Sequence, residues 1–397
     1  LAGVTTVTSV KVGAAVTISE SGIEASGIGI TVANINGGAI SGRRNLVING
    51  AMMVAQRGTS STSSGYYTID RMPVYHLGTN ESPTISQADI ASGTTPYTLG
   101  FRKALKITNG NQTGGADAAD YIWFQTKLEA QDISNSGWNY TSSSSYLTLS
   151  FWIKSSVAQT FKCYFRTMDG TNQQYPFETG SLTADTWTKI TKTISGNSNI
   201  QIDNDNGQGF QINIPAFIGT DSTNNSATED AWSAYSSSAR MKDCTSTWYT
   251  TNDATLEITG IQLEVGPQAT PFEHRSFGEE LALCQRYYQK FVDGATGGNY
   301  LGIGCNYSTA QSYMFIRFLQ EMRSTPTIDQ TNISSSFVLY DSANQSGVTF
   351  SSFSGFAGEC TRGTGLYVGS LSTTAGLASI FQVINGTAAY MAASAEI

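Results

Sequence analysis

The sequence predicts an all-β chain: an N-terminal shaft-like segment, a central jelly-roll β-sandwich, a short helix and a small C-terminal β-sandwich tip. Three observations carry this. Charged residues are 13% of the chain, about half the usual share of roughly 25%. Gly (40), Tyr (19) and Phe (18) are frequent and Pro (8) is scarce; a disordered chain would instead lack aromatic and β-branched residues. Apolar residues recur at period two in short runs bounded by Ser, Thr, Asn and Gly, the pattern of strands joined by polar turns.

Residues 1–44 hold no long apolar block. Val10 and Val12, Val16 and Ile18, then Ile28, Ile30 and Val32 predict short strands between Gly turns. Such a segment cannot bury a core alone, so it would be stable only wrapped on its own copies or docked on a larger body; a plain linker is the alternative, and its Gly-punctuated texture resembles the shaft or attachment segments of fibrous appendages.

Residues 45–274 read as the sandwich. The expected strands are Asn45–Gln56, Ala104–Ile107, Tyr121–Lys127, Tyr146–Ser155, Phe161–Thr167, Trp187–Ile194, Gly209–Ile214 and Thr255–Val265. Their number and length suit two packed sheets of jelly-roll size. In "YLTLSFWIKSS", Leu147, Leu149, Phe151 and Ile153 alternate with Thr148, Ser150 and Lys154, one face for the core and one for water. In the last strand the apolar parity switches from Leu256 and Ile258 to Ile261, Leu263 and Val265 across Gly260. A β-bulge at the glycine would produce that shift.

Residues 275–292 predict a short connecting helix. Ser276 and Glu279 fit a capping box. Phe277, Leu281, Cys284, Tyr288 and Phe291 follow at heptad-like spacing, predicting a seam on a helix of about four turns. Too short to be stable alone, that helix must pack on something, and the seam is the candidate contact between copies of the chain. From 293 to 397 runs such as "YLGIGCNY", "SYMFIRFL" and "ASIFQVIN" predict a second all-β unit, the tip.

The formal net charge is −8, with no basic run, which argues against nucleic acid as a partner. No apolar run reaches the ~18 residues that span a bilayer, so no membrane insertion is expected. The opening "LAGVTTVTSV" has neither the basic nor the apolar region of a signal peptide. Five widely spaced cysteines without CxxC predict free thiols and a reducing compartment of assembly.

No catalytic signature is present: the two histidines, His76 and His274, lie in no metalloprotease or nucleophile-elbow motif. His274 could pair with Glu273 or Glu264, but it reads as a polar residue at a domain joint. "DNDNGQG", Asp203 to Gly209, resembles a calcium loop, with Asp203 and Asp205 as candidate ligands for a structural Ca²⁺. Gly207 in the fifth place and Ile214 in the twelfth depart from the EF-hand, and a hairpin turn is the reading preferred. No other cofactor is implied.

Aromatics are more informative. Trp123, Trp152 and Trp187 lie among apolar neighbours and are expected in the core. Trp138, Tyr140, Trp232, Tyr235, Trp248 and Tyr249 lie in polar, loop-like surroundings. They are the candidate glycan-binding residues, because a sugar's axial C–H face stacks on an aromatic plane. Loop aromatics closing the sandwich rim are the alternative for each.

Finally, "RNLVINGAMMVAQRGTS", "TIDRM", "LTLSFWIKSS", "TWTKITKTISG", "LEITGIQLEVGPQATPFEHRSFGEELALCQRYYQKF" and "FLQEMRSTPTI" resemble distal parts of bacteriophage tail fibres, especially those of phages of marine and cyanobacterial hosts. The likeness covers roughly residues 45 to 330. It implies a homotrimeric appendage of the virion tail, assembled in the host cytoplasm beside other tail proteins. The jelly roll would be similar to carbohydrate-binding modules, and the chain would bind host-surface polysaccharide without catalysis. A depolymerase tailspike and a structural tail adaptor or decoration protein are the alternatives.

Overall fold

The computed structural model describes residues 43–293, 299–331, 333–343, 345, 347–355, 360–384 and 390–397, and the backbone of 9–12, 16–19 and 22–25. Those three N-terminal pieces are the antiparallel strands Ser9–Val12, Val16–Ser19 and Gly22–Ala25, with Val10 opposite Ile18. The strand expected at Ile28–Val32 lies outside the described residues.

The central body is two six-stranded antiparallel sheets. One runs in the order Ser233–Ala234, Gln173–Ser181, Thr160–Thr167, Gln208–Ile218, Tyr121–Glu129, Val74–Leu77. The other runs Thr188–Ser195, Tyr146–Ser155, Thr255–Val265, Lys103–Thr108, Thr84–Asp89, Ser60–Ser61. Neighbours far apart in sequence mark the crossovers of a jelly-roll-type sandwich. Phe124, Phe151, Phe165, Phe177, Phe210, Ile212 and Leu256 fill the space between the sheets.

The parity switch at Gly260 is a bulge: the register slips between Thr259 and Gln262, and Gly260 adopts φ 64°. One expected strand is absent. Asn45–Gln56 forms turns and irregular backbone: side chains take several of its N–H and C=O groups, while Leu46 N–H and Gly50 O bond to the backbone of Leu263 and Ile261. Asn45 Nδ2 donates to Ile261 O (3.0 Å), Asn49 Nδ2 to Val54 O and Asp70 O (both 2.8 Å), and Val54 N–H donates to Asn49 Oδ1 (3.0 Å).

The helix is also shorter than its expected span. It covers Phe277–Gln285, with the capping box formed as expected, and the chain re-enters a strand at Tyr288–Asp293. A single helical seam through Phe277, Leu281, Cys284, Tyr288 and Phe291 therefore does not exist. Phe277 is 53% exposed. Leu281 and Cys284 pack with Ile48, Val54 and Tyr287 of the same chain. Tyr288 is buried, and Phe291 stacks on Phe318 in the tip. The heptad spacing thus joins residues of two elements that pack in different clusters.

The tip is a three-stranded sheet (Tyr288–Asp293, Tyr390–Ser394, Thr327–Thr331) beside a seven-stranded one. Its core gathers Phe337, Phe353, Phe381, Leu366 and Met391. It is tied to the sandwich by buried ion pairs. Arg286 Nε and Nη2 grip the fully buried Glu129 carboxylate at 2.7 Å each. All five cysteines are free.

Candidate functional site

Strand parity assigns the outward-facing side chains. In Tyr121–Glu129, Ile122 and Phe124 enter the core, so Tyr121, Trp123, Gln125 and Lys127 face outward. The adjoining strands add Tyr75, Gln211, Asn213, Tyr164 and Arg166 on the same side, since Tyr75 pairs with Trp123, Asn213 with Gln125 and with Tyr164, and Arg166 with Gln211. A solvated sheet face would carry charged residues and threonines; this one carries aromatics, amides and arginines.

The amides are prearranged. Gln125 Nε2 donates to Gln211 Oε1 (2.9 Å) and Asn213 Oδ1 (2.8 Å), and Trp123 Nε1 donates to Asn213 Oδ1 (3.0 Å). Gln125 and Gln211 are each 4% exposed and Asn213 is fully buried, so these amides form the floor of the face; among the described residues Gln125 Oε1 and Gln211 Nε2 have no protein hydrogen bond, leaving an acceptor and a donor there. The Trp123 ring lies 6.4 Å from Tyr75, 6.1 Å from Tyr121 and 6.2 Å from Tyr164, between ring centroids.

The segment after Gln208–Ile218 walls one end. Asn224 N–H donates to Met241 O (2.9 Å) and Arg240 N–H to Ser222 O (3.1 Å), while Gln174 holds Ser236 and Ala239 by its side-chain amide. This brings Arg240 over Trp123, 5.1 Å from the ring centroid, and Tyr235 beneath Arg166 at 3.6 Å. Tyr164 Oη, Arg166 Nε and Arg240 Nε are buried without a hydrogen-bond partner. Burial pushes the Tyr164 phenol up; the Arg240 guanidinium, close to its hydroxyl but out of line for a well-formed hydrogen bond, and the Arg166 charge pull the other way.

Of the six aromatics expected to bind glycan, only Tyr235 joins this face. Trp138, Trp248 and Tyr249 are 3%, 0% and 0% exposed and belong to the core. Trp248 and Tyr249 sit on the short helix Thr247–Thr250 that plugs the sandwich. Trp248 Nε1 donates to Thr255 O (3.0 Å), and the Tyr249 hydroxyl reaches Asp120 Oδ2 (3.0 Å) while its ring stacks on Phe217. Trp138 lies edge-on to Phe210 and Tyr140. Trp232 and Tyr140 are half-buried at the rim, their polar atoms donating to Ser195 O and Ile202 O. Conversely Trp123, Trp152 and Trp187, expected in the core, are half-buried on outer faces.

Trp152 belongs to a second concavity, about 450 Å³, on the opposite sheet. Phe101, Phe272 and His274 pack there as a ring cluster with centroids 4.8 to 5.1 Å apart. His274 Nε2 meets Leu99 O at 2.9 Å and pairs with neither Glu273 nor Glu264. Asp203 and Asp205 lie in a bend, not a hairpin. Asp203 N–H donates to Asp169 and Gly207 N–H to Asp205, both at 2.9 Å. Among the described residues, no three His, Cys, Asp or Glu side chains are placed to hold a metal ion.

No family model and no curated relative matches the chain. Among solved structures, 56% of it overlays on the enzymatically active domain of tailspike protein 4 of bacteriophage CBA120, at 10% identity and a TM-score of 0.29. The overlay spans 21% of that tailspike chain. The N-terminal cellulose-binding domain of a Cellulomonas fimi β-1,4-glucanase overlays across 99% of its length on 55% of this chain, at 11% identity and a TM-score of 0.27. A family 11 carbohydrate-binding module of Clostridium thermocellum does so across 98% of its length on 53% of this chain, at 10% identity and a TM-score of 0.25. Overlaps this loose carry neither ligand nor activity to this chain.

Proposed function

We propose that the chain is a receptor-binding part of a bacteriophage tail fibre that attaches to host-surface polysaccharide without cleaving it, as a homotrimer in the virion tail. The observation that carries the binding reading is the outer face centred on Trp123. Half-buried rings there stand beside amides whose remaining donor and acceptor are free. Ring faces take the apolar side of a sugar and amides take its hydroxyls, with little to reorganise on binding. Three sites presented together would raise a weak single-site affinity by avidity. The tail-fibre reading rests on the sequence resemblance across residues 45 to 330.

The test is affinity electrophoresis of the purified protein through gels containing polysaccharides, both neutral (dextran) and acidic (polygalacturonate, hyaluronate). Retardation in at least one polymer is expected, and Trp123→Ala should weaken it about tenfold, equivalent to ~1.4 kcal/mol. Undiminished retardation in Trp123→Ala, with loss in Trp152→Ala, would move the site to the opposite sheet. New reducing ends in the retained polymer would replace attachment with depolymerisation.

A further inference from the structure

We infer that the ligand of the Trp123 face is an acidic polysaccharide, whose sugar carboxylate or sulfate is held between Arg166 and Arg240. This deepens, and rests on, the glycan-binding reading of the same face.

The two guanidiniums converge on Tyr164 from different elements, Arg166 from the strand Thr160–Thr167 and Arg240 from the segment folded over it. Each lies over a ring, Tyr235 and Trp123 respectively, and this fixes its plane. Among the described residues neither pairs with a carboxylate. Glu178 and Glu229 are taken by Lys162 and Lys242. With its amide oxygen and nitrogen exchanged, Asn172 accepts from Arg166 Nη2 at 2.8 Å, so the only side-chain acceptor that Arg166 receives is neutral.

Elsewhere several arginines find acids, while Arg323 donates to the backbone oxygens of Ala395, Asn206 and Glu396. Arg71 has Glu396, Arg275 has Glu273 and Glu280, and Arg286 has Glu129. What sets this face apart is its unpartnered atoms. A buried polar atom without a partner is destabilising, more so when charged, and Tyr164 Oη, Arg166 Nε and Arg240 Nε are three such atoms in one patch. Both arginine side chains are only partly buried, and guanidiniums match carboxylate and sulfate geometry by their fork of donors. A neutral sugar hydroxyl would leave both charges uncompensated.

The experiment compares four polymers in affinity gels: hyaluronate, carboxyl-reduced hyaluronate, dextran sulfate and dextran. The wild-type protein should bind at least one acidic polymer tenfold or more tightly than its neutral counterpart, and which pair discriminates identifies carboxylate or sulfate. Arg166→Gln and Arg240→Gln should each bring the acidic polymer down toward the neutral level. A ratio within one variant is read, so partial misfolding does not imitate the result. Equal retardation in acidic and neutral polymers would overturn the acidic assignment and leave glycan binding standing. No retardation in any of the four would overturn both.

Discussion

The guanidinium of Arg71 pairs with Glu396, 325 positions further along the chain. It is sealed there by the Tyr287 ring, whose centroid lies 3.6 Å from the guanidinium carbon. Arg57 Nη1 takes the other Glu396 oxygen at 3.0 Å. Near them Lys127 Nζ donates to Ile397 O at 2.7 Å. The last described residues of the tip are thus fastened into the sandwich by charge.

Glu396→Gln should therefore loosen the tip. Removing one partner of a buried ion pair leaves an uncompensated charge and costs ~3–5 kcal/mol, here on Arg71, whose side chain is 2% exposed. The urea midpoint should drop, with proteolysis near residues 286–293 accelerating first. An unchanged midpoint would show that apolar packing holds the joint.

Gly260→Ala tests the bulge. At φ +64° an added Cβ would lie 2.7 Å from Phe101 Cζ, whereas Gly93, at φ +84°, has nothing within 4 Å. Both alanines meet the left-handed backbone cost of ~1–2 kcal/mol. Gly260→Ala should exceed Gly93→Ala by the clash, and Phe101→Leu should recover part of the difference. Equal losses in urea unfolding would remove Phe101 from the account.

Strand parity was legible in the sequence, and applied throughout it would have found the site. Leu147, Leu149, Phe151 and Ile153 face inward, so Trp152 between them must face outward; Ile122 and Phe124 say the same of Trp123. Apolar neighbours along the chain are not neighbours in space on a strand. The plug of Trp248 and Tyr249 was not legible. Its flanking Ser and Thr look like a surface loop, and its polar atoms are satisfied by tertiary partners, Gln159, Thr255, Asp120 and Asn109. Arg240 was hidden for the same reason, reaching the face through a long segment whose path no local pattern encodes.

Asp70 gives a pH signature. Burial, against hydrogen bonds from Gln56, raises its carboxyl from 3.8 to about 6. The folded chain then holds the proton more tightly than the unfolded one. Its contribution is fully present below pH ~4 and is lost as pH rises through 6, on the order of 3 kcal/mol in all. Asp70→Asn does not titrate, so its stability relative to wild type should rise between pH 4 and 6 and level off above. A pH-independent difference in melting temperature would refute the shift.

The last prediction concerns self-association. The helix's apolar side is already covered within the chain, since Leu281 and Cys284 pack on Ile48 and Val54. The tip's seven-stranded sheet has an uncovered face: Ile303 is 74% and Phe315 64% exposed, and Ile380, paired with Ile303, is 40% exposed. Contiguous apolar exposure of this kind is uncommon on monomers. If the chain is the proposed homotrimer, Phe315→Asp should lower its sedimenting mass toward one chain at unchanged circular dichroism. Leu281→Asp should lower the melting temperature, because it disturbs an intrachain core, while leaving assembled protein trimeric. The opposite pattern would return the contact to the helix, and a wild-type monomer at micromolar concentration would remove the trimer from the proposal.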